Sequence, residues 1–341
     1  MHASKTGADF MIRANEKPSG TPARRALNTA GTEWASGLRL SDAHAHITSK
    51  EDLKERRHYS IPTLFSAETP KEAEEVFQLV KKGSPTVRHP APKSFPKENS
   101  AEPYGIFLPT CGLHPWHAAA YSLEEMLPYL TAAPIVGEIG MDSVWCDIPL
   151  ALQEEVFRAQ LRLACEQNKP VILHTKGQER QIASILKEYP NHYLVHWYSS
   201  EEAPDDYLAL DCYFSIGPDV WWNPSVQQTA VLIPQNRLLI ETDGLEAVRW
   251  AFEAAPPAES AAECSLRMLL QQKKKELLSQ NSFFPYDSSV FSGQPDTAAS
   301  SLFLTLQAVA SLRKLSPEET GRFVLENLRQ FLCYASISIP V

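Results

Sequence analysis

The chain has 341 residues, 43% of them hydrophobic and 21% charged, with a formal net charge of −9. That length and apolar content suffice for one barrel-sized core or two smaller ones. The acidic balance excludes a protein coated with basic residues for sequence-independent DNA binding, but not one whose bound divalent cations meet a substrate phosphate. No apolar run is long enough to span a bilayer, so no membrane partner is expected. The segment Met1–Gly20 lacks the apolar core of a signal peptide, which makes the cytoplasm the expected compartment. The six cysteines form no C-x-x-C pair and mostly sit in apolar runs, as reduced buried thiols do.

In chain order, residues 1–37 are rich in Ala, Thr, Ser, Gly and charge without an apolar period, and read as a flexible N-terminal arm. From Leu38 onward, short apolar runs alternate with helical patterns. The strand candidates are Leu38–Ala43, Ser60–Ser66, Gly105–Cys111, Ile135–Ile139, Val171–His174, Tyr193–His196, Cys212–Ile216 and Leu238–Glu241. Helical patterns such as Lys71–Lys82, Leu150–Asn168, Gln178–Glu188 and Pro224–Leu232 lie between them. Eight βα units predict an α/β fold closed into a TIM-type (β/α)₈ barrel over residues 38–341. Two insertions interrupt it. One, about 83–103, is rich in Pro, Lys and Ser and precedes the third strand. The other, about 244–297, follows the eighth strand, carries one helical stretch at Ala261–Gln280 between irregular segments, and is placed to overhang the C-terminal face. Two helices end the chain, the last starting at Ser316-Pro317-Glu318-Glu319 with Ser as cap and Pro in the first turn.

The chemistry-bearing residues fall at strand ends. Asp42-Ala43-His44-Ala45-His46 closes the first strand, and residues two apart share a side, so His44 and His46 can face one metal ion. Asp42 is placed to orient one of those rings through its N–H. Glu138, His174, His196 and Asp243 close the fourth, fifth, sixth and eighth apolar runs. A lone acid after a strand is commonly a cap or an ion-pair partner. Four such residues added to H-x-H predict a common metal site, because barrel strands converge at that end. Four His with two carboxylates suit two borderline divalent ions, such as Zn²⁺ or Mn²⁺, better than Ca²⁺. Glu138 is the natural bridge, and Asp243 can hold one ion while accepting a proton from the attacking water. His114 and His117, in CGLHPWH, are placed to touch substrate or to cap and pack their loop. Trp197 and Tyr198 offer a stacking surface or a wall that orders the site. Lys176 is a possible phosphate contact or an ordinary surface charge.

The stretches SDAHAHI, CGLHPWH, VGEIGMD, PVILHTK, VHWYSS and ETDG, in this order and spacing, resemble those of the TatD family of metal-dependent nucleases within the amidohydrolase-like barrels. The resemblance spans roughly Leu38–Leu332. It implies a TIM-type barrel, ligands His44, His46, Glu138, His174, His196 and Asp243 around one or two divalent metals (Mg, Mn or Zn), and phosphodiester hydrolysis of DNA or short nucleotides, typically as a magnesium- or manganese-supported exonuclease. The chain departs from the family pattern at Lys176, usually Arg, at Ser200, and at Gly244-Leu245, usually Ala-Pro. All three lie near the mouth and bear on substrate more than on metal. Two other readings stay open: hydrolysis of a small amide, ester or lactone on the same metal site, and a barrel kept as a non-catalytic subunit.

Overall fold

The computed structural model describes residues 38–47, 49–82, 106–200, 204–254, 297–337 and 339. The expected N-terminal arm, the 83–103 insertion and the Ala261–Gln280 helix lie outside these residues. Eight parallel strands follow one another in a single sheet: β1 (Asp42–Ala45), β2 (Thr63–Ala67), β3 (Phe107–Cys111), β4 (Ile135–Gly140), β5 (Val171–His174), β6 (Tyr193–Val195), β7 (Tyr213–Ile216) and β8 (Leu238–Ile240). The seam between the last and first strands is joined by Asp243 N–H donating to His44 C=O at 3.0 Å. Helices lie between the strands and beyond them: α1 (Lys50–His58), α2 (Pro70–Lys82), α3 (Leu123–Ala132), α4 (Leu150–Glu166), α5 (Glu179–Leu186), α6 (Asp205–Leu208), α7 (Pro224–Leu232), α8 (Leu245–Glu253), α9 (Ala298–Arg313) and α10 (Pro317–Cys333). This is the TIM-type (β/α)₈ barrel expected from the sequence. Among the described residues, no helix is long and apolar enough to cross a membrane.

The core has two shells. One residue from each strand, Ala43, Leu64, Leu108, Ile135, Ile172, Leu194, Tyr213 and Leu239, forms an inner apolar layer. That layer is capped by Leu325, Leu328, Phe331 and Leu332 of α10, so the last helix covers one end of the barrel. Neighbours such as Phe65, Val136, Leu173, Val195, Phe214 and Ile240 pack outward against the helices. With a side-chain period of two, the next inward position on each strand lies one layer further along. Those positions are polar and include Ser66, Thr110, His174, His196, Ser215 and Glu241. The apolar floor therefore supports a polar layer at the opposite end of the barrel.

β1 and β4 depart from strict alternation, and both departures matter. Counting by twos from Ala43 and Ile135 would turn His44 and Glu138 outward. The pairing register slips between Asp42 and Ala45 and between Val136 and Ile139. Ala45 and Ile139 consequently join the outer shell, and His44 and Glu138 face inward.

Two expectations are corrected here. Leu38–Ser41 is not strand. Its alternating leucines, Leu38 and Leu40, bury against the outer shell, which gives a strand-like pattern without a ladder. The start of the second insertion is not irregular: Leu245–Glu253 is helix α8, with Val248 and Ala251 buried.

Candidate metal centre

Glu138 is the hub. Its Oε1 lies 3.3 Å from His44 Nε2 and 3.2 Å from His46 Nε2. Asp243 Oδ1 completes this group, 3.3 Å from His44 Nε2 and 3.4 Å from His46 Nε2. The other oxygen, Oε2, faces a second group: His196 Nε2 at 2.7 Å, His174 Nδ1 at 3.2 Å and His114 Nε2 at 3.8 Å. Two sets with metal-ligand geometry share Glu138, one with His44, His46 and Asp243, the other with His114 and His174. Within each set the candidate ligand atoms lie within 4.8 Å of one another. The six residues singled out as ligands in the sequence are thus brought together.

The carboxylate is set by its own strand. Ser66 Oγ accepts the Glu138 N–H at 3.0 Å and donates to the Gly137 carbonyl at 3.2 Å. At Gly140, where β4 meets β5, any Cβ would collide with the His174 carbonyl. A second ring of acids holds the histidines from behind. Asp142 Oδ2 lies 3.0 Å from His174 Nε2 and accepts the Trp116 indole N–H at 2.7 Å. Glu241 Oε1 lies 3.4 Å from His196 Nδ1, while its Oε2 accepts the Ser215 hydroxyl. Each outer contact leaves the opposite ring nitrogen facing Glu138. Glu68, just past β2, lies 3.6 Å from His46 Nε2 and 3.2 Å from His117 Nε2.

Asp142, Glu241 and Glu68 were missed in the sequence, although the signals were present. Glu68 closes an apolar run as the ligands do. Glu241 precedes Asp243 by two positions, and Asp142 sits in the same motif as Glu138.

The charge state follows from burial and neighbours. Burial works against the imidazolium of His44, but Glu138 and Asp243 outweigh it and raise its pKa to about 10. His46 is raised to about 9 against the same burial, chiefly by Glu138 and Glu68. Burial would lift the Glu138 carboxyl, yet His196 and His44 hold it well below the usual range. Asp243 is lowered against burial by His44 and His46, and Asp142 falls to about 2 beside His174. The buried carboxylates demand positive charge, and protons on the histidines supply it here.

A divalent cation fits the same demand. His44 is fully buried, and neither of its ring nitrogens has a hydrogen-bond partner. An orphaned imidazole between two carboxylates is what a metal ligand looks like without its ion. The donors are imidazole nitrogens and carboxylate oxygens, which suit Zn²⁺, Mn²⁺ or Mg²⁺.

The remaining predicted residues divide. His114 is buried, and its Nδ1 accepts the Trp116 N–H at 3.2 Å, so its neutral ring carries the proton on Nε2, the nitrogen facing Glu138, and this takes His114 out of the second ligand set. Burial and the neighbouring His174 lower its pKa and keep it neutral. His117 sits at the mouth, its side chain 31% exposed. Lys176 Nζ donates to Ser199 Oγ at 2.7 Å beside the site. Trp197 stands at the mouth with its indole N–H donating to Asp219 Oδ1 at 2.7 Å. Tyr198 does not offer a stacking face: it is buried against Tyr207 and Phe214, with ring centroids 5.8 and 5.7 Å away. Asp42 does not orient a histidine either. Its Oδ2 accepts from Arg56 Nη1 and Thr242 Oγ1, both at 2.6 Å, and its Oδ1 accepts the Thr242 N–H at 2.9 Å. It therefore braces the β8–β1 seam beneath Asp243.

Comparison with known proteins gives a consistent picture. A family model described as TatD related DNase matches residues 41–332. An uncharacterised metal-dependent hydrolase, YabD, of Bacillus subtilis is 30% identical over 220 residues, covering 60% of this chain and 79% of the relative. The 3′-5′ ssDNA/RNA exonuclease TatD of Erwinia amylovora is 30% identical over 176 residues, covering 48% of this chain and 68% of the relative. In fold, the chain is similar to the crystallised TatD homologue YJJV of Escherichia coli, with a TM-score of 0.60 at 19% identity, covering 85% of this chain and 96% of that one. A TatD-family hydrolase of Entamoeba histolytica gives a TM-score of 0.58 at 15% identity, covering 85% and 97%.

Proposed function

Because this chain belongs to the TatD-related DNase family, we propose that it is a metal-dependent phosphodiesterase acting on the ends of nucleic-acid strands. The observation that carries this reading is the division of Glu138, with Oε1 directed to His44 and His46 and Oε2 to His174 and His196. A carboxylate split in this way suits a bridge between two divalent ions, and His44, His46 and Asp243 would hold one while His174 and His196 hold the other. When bound, such ions lower the pKa of an attacking water and neutralise charge on a phosphodiester.

The chain's own residues supply the rest. Asp243, its carboxyl kept ionised by His44 and His46, accepts the proton of the attacking water. His114, neutral and protonated on Nε2, donates a hydrogen bond to a substrate oxygen. Lys176 and His117 stand at the mouth as cationic contacts for a phosphate, and His117 is helped there by Glu68, which raises its pKa against burial. Asp142 and Glu241 act through His174 and His196 as positioning residues.

The test is a substrate screen on metal-stripped protein. Single-stranded DNA, duplex DNA, dinucleotides, lactones and amides are assayed without metal and then with Mg²⁺, Mn²⁺ or Zn²⁺. Metal-restored hydrolysis of DNA or dinucleotides is expected. Turnover confined to lactones or amides would replace this reading with the small-molecule one, and no turnover at all would leave a binding subunit.

A further inference from the structure

Three tryptophans from three distant parts of the chain, two in loops and one on a helix, gather at the mouth beside the candidate centre. Trp145 follows β4, Trp197 follows β6, and Trp250 lies on α8 after β8. The Trp250 ring meets Trp145 edge-to-face, with centroids 5.5 Å apart and planes at 77°. It meets Trp197 in the same manner at 6.0 Å and 72°. In the strand order of this sheet, β4 and β8 lie across the barrel from each other with β6 midway. The three rings therefore form an arc with Trp250 in the middle, touching both of the others and reaching from the β8 side of the mouth toward β4 and β6.

The arc is anchored to the centre and held rigid. Asp142, which contacts His174 through Oδ2, accepts the backbone N–H groups of Val144 and Trp145 on Oδ1, both at 2.8 Å. Trp197 directly follows His196, and its ring occupies the space that a side chain at Gly217 would need. Trp222 Nε1 donates to Ala251 C=O at 2.8 Å, and Trp221 stacks on Phe252 with centroids 5.0 Å apart, which pins α8. Even so, the arc stays wet: Trp145 is 39% exposed, its neighbour Val144 61%, and Trp197 and Trp250 are half-buried. Rigid aromatic surface left facing solvent at a site marks a place where a flat ligand packs.

We infer that the Trp145–Trp250–Trp197 arc is a base-stacking subsite that takes an unpaired nucleobase at a single-stranded DNA or RNA end, with the adjoining phosphodiester at the metal centre. The inference rests on the nucleic-acid reading above. A base inside a duplex has both faces in the helix stack, and one at a blunt end is tied to its partner, so an unpaired terminal base is the one free to turn a face to the arc. Every base has a π face, so stacking selects strand type without selecting sequence. It also adds affinity beyond the cationic contacts, through an interaction that releases no counterions, so the preference for a stacked base should persist at high salt.

The test compares KM for a single-stranded oligonucleotide with KM for one of the same length whose terminal nucleotides are abasic. Metal-loaded wild type, W145A, W250A and W250F are assayed. In the wild type the abasic KM should be higher by roughly five- to 150-fold, the range that one base–aromatic stack gives. The ratio should fall toward one in W145A and W250A and be largely kept in W250F. Trp145 lies at the surface, so W145A reports on stacking without disturbing the core. The abasic strand reports on the metal centre in the same protein. A wild-type ratio retained in W145A and W250A would overturn the subsite, as would preference for a blunt duplex. If the wild type cleaves neither strand, the nucleic-acid reading fails first and the subsite falls with it.

Discussion

Glu138 does at one residue what the site needs overall, offering one oxygen to each of two histidine pairs from a position 2% exposed. Asp243 stands opposite it, held in left-handed backbone (φ 57°) with its N–H on the His44 carbonyl. Asp243→Asn keeps this shape and one coordinating oxygen but removes the base. We expect kcat to fall about 10²- to 10⁴-fold, with circular dichroism unchanged and much of the metal retained through the histidines and Glu138. Measured kcat and metal content at saturating Mn²⁺ decide this, and near-full kcat would remove Asp243 from the chemistry. At this scale the inward histidines and acids were legible because each closes an apolar run. The true partner of Asp42 was not: Arg56 reaches it from α1, and Thr242 lies 200 positions away. The proton position on His114 was also hidden, because it depends on a turn formed by Trp116.

At the scale of elements, the alternation of short apolar runs and helical patterns gave the strand order and most strand bounds to within a few residues. It did not give the register slips in β1 and β4, since a slip depends on the neighbouring strand and not on local sequence. Nor did it reveal α1, whose buried face includes Asp52 and Arg56 and so lacks an apolar stripe. The contact between β4 and β5 gives a direct test. Gly140→Ala must push β4 away from the His174 carbonyl and move Glu138 relative to His174. We expect lost stability together with at least one fewer metal ion per chain. Full metal content in a folded G140A protein would show that the close approach does not set the site.

For the whole molecule, the apolar floor sealed by α10 carries a highly charged, buried polar layer, and its stability should depend on what neutralises that layer. In metal-free protein, His44 and His46 have pKa values raised from 6.5 to about 10 and about 9. Their stabilisation is complete below pH 6.5 and is lost as pH rises through those values. Glu138 and Asp243 act oppositely, because their lowered pKa values give stability that is lost as pH falls below the normal carboxylate range. With chelator present, Tm should therefore decline between pH 6.5 and 10, and saturating Mn²⁺ should abolish most of that decline. A flat profile with chelator would contradict the charge assignment. Barrel closure was legible from eight βα units, whereas the arc of Trp145, Trp197 and Trp250 was not, because its members come together only when two distant loops and α8 meet over the mouth. The most direct measurement of the central claim is a titration of metal-stripped protein with Mn²⁺, following bound metal per chain and hydrolysis of single-stranded DNA together. The account predicts two ions per wild-type chain, activity rising with their binding, and both lost together in Glu138→Gln. Undiminished hydrolysis in fully metal-free protein, or two ions still bound in Glu138→Gln, would contradict it.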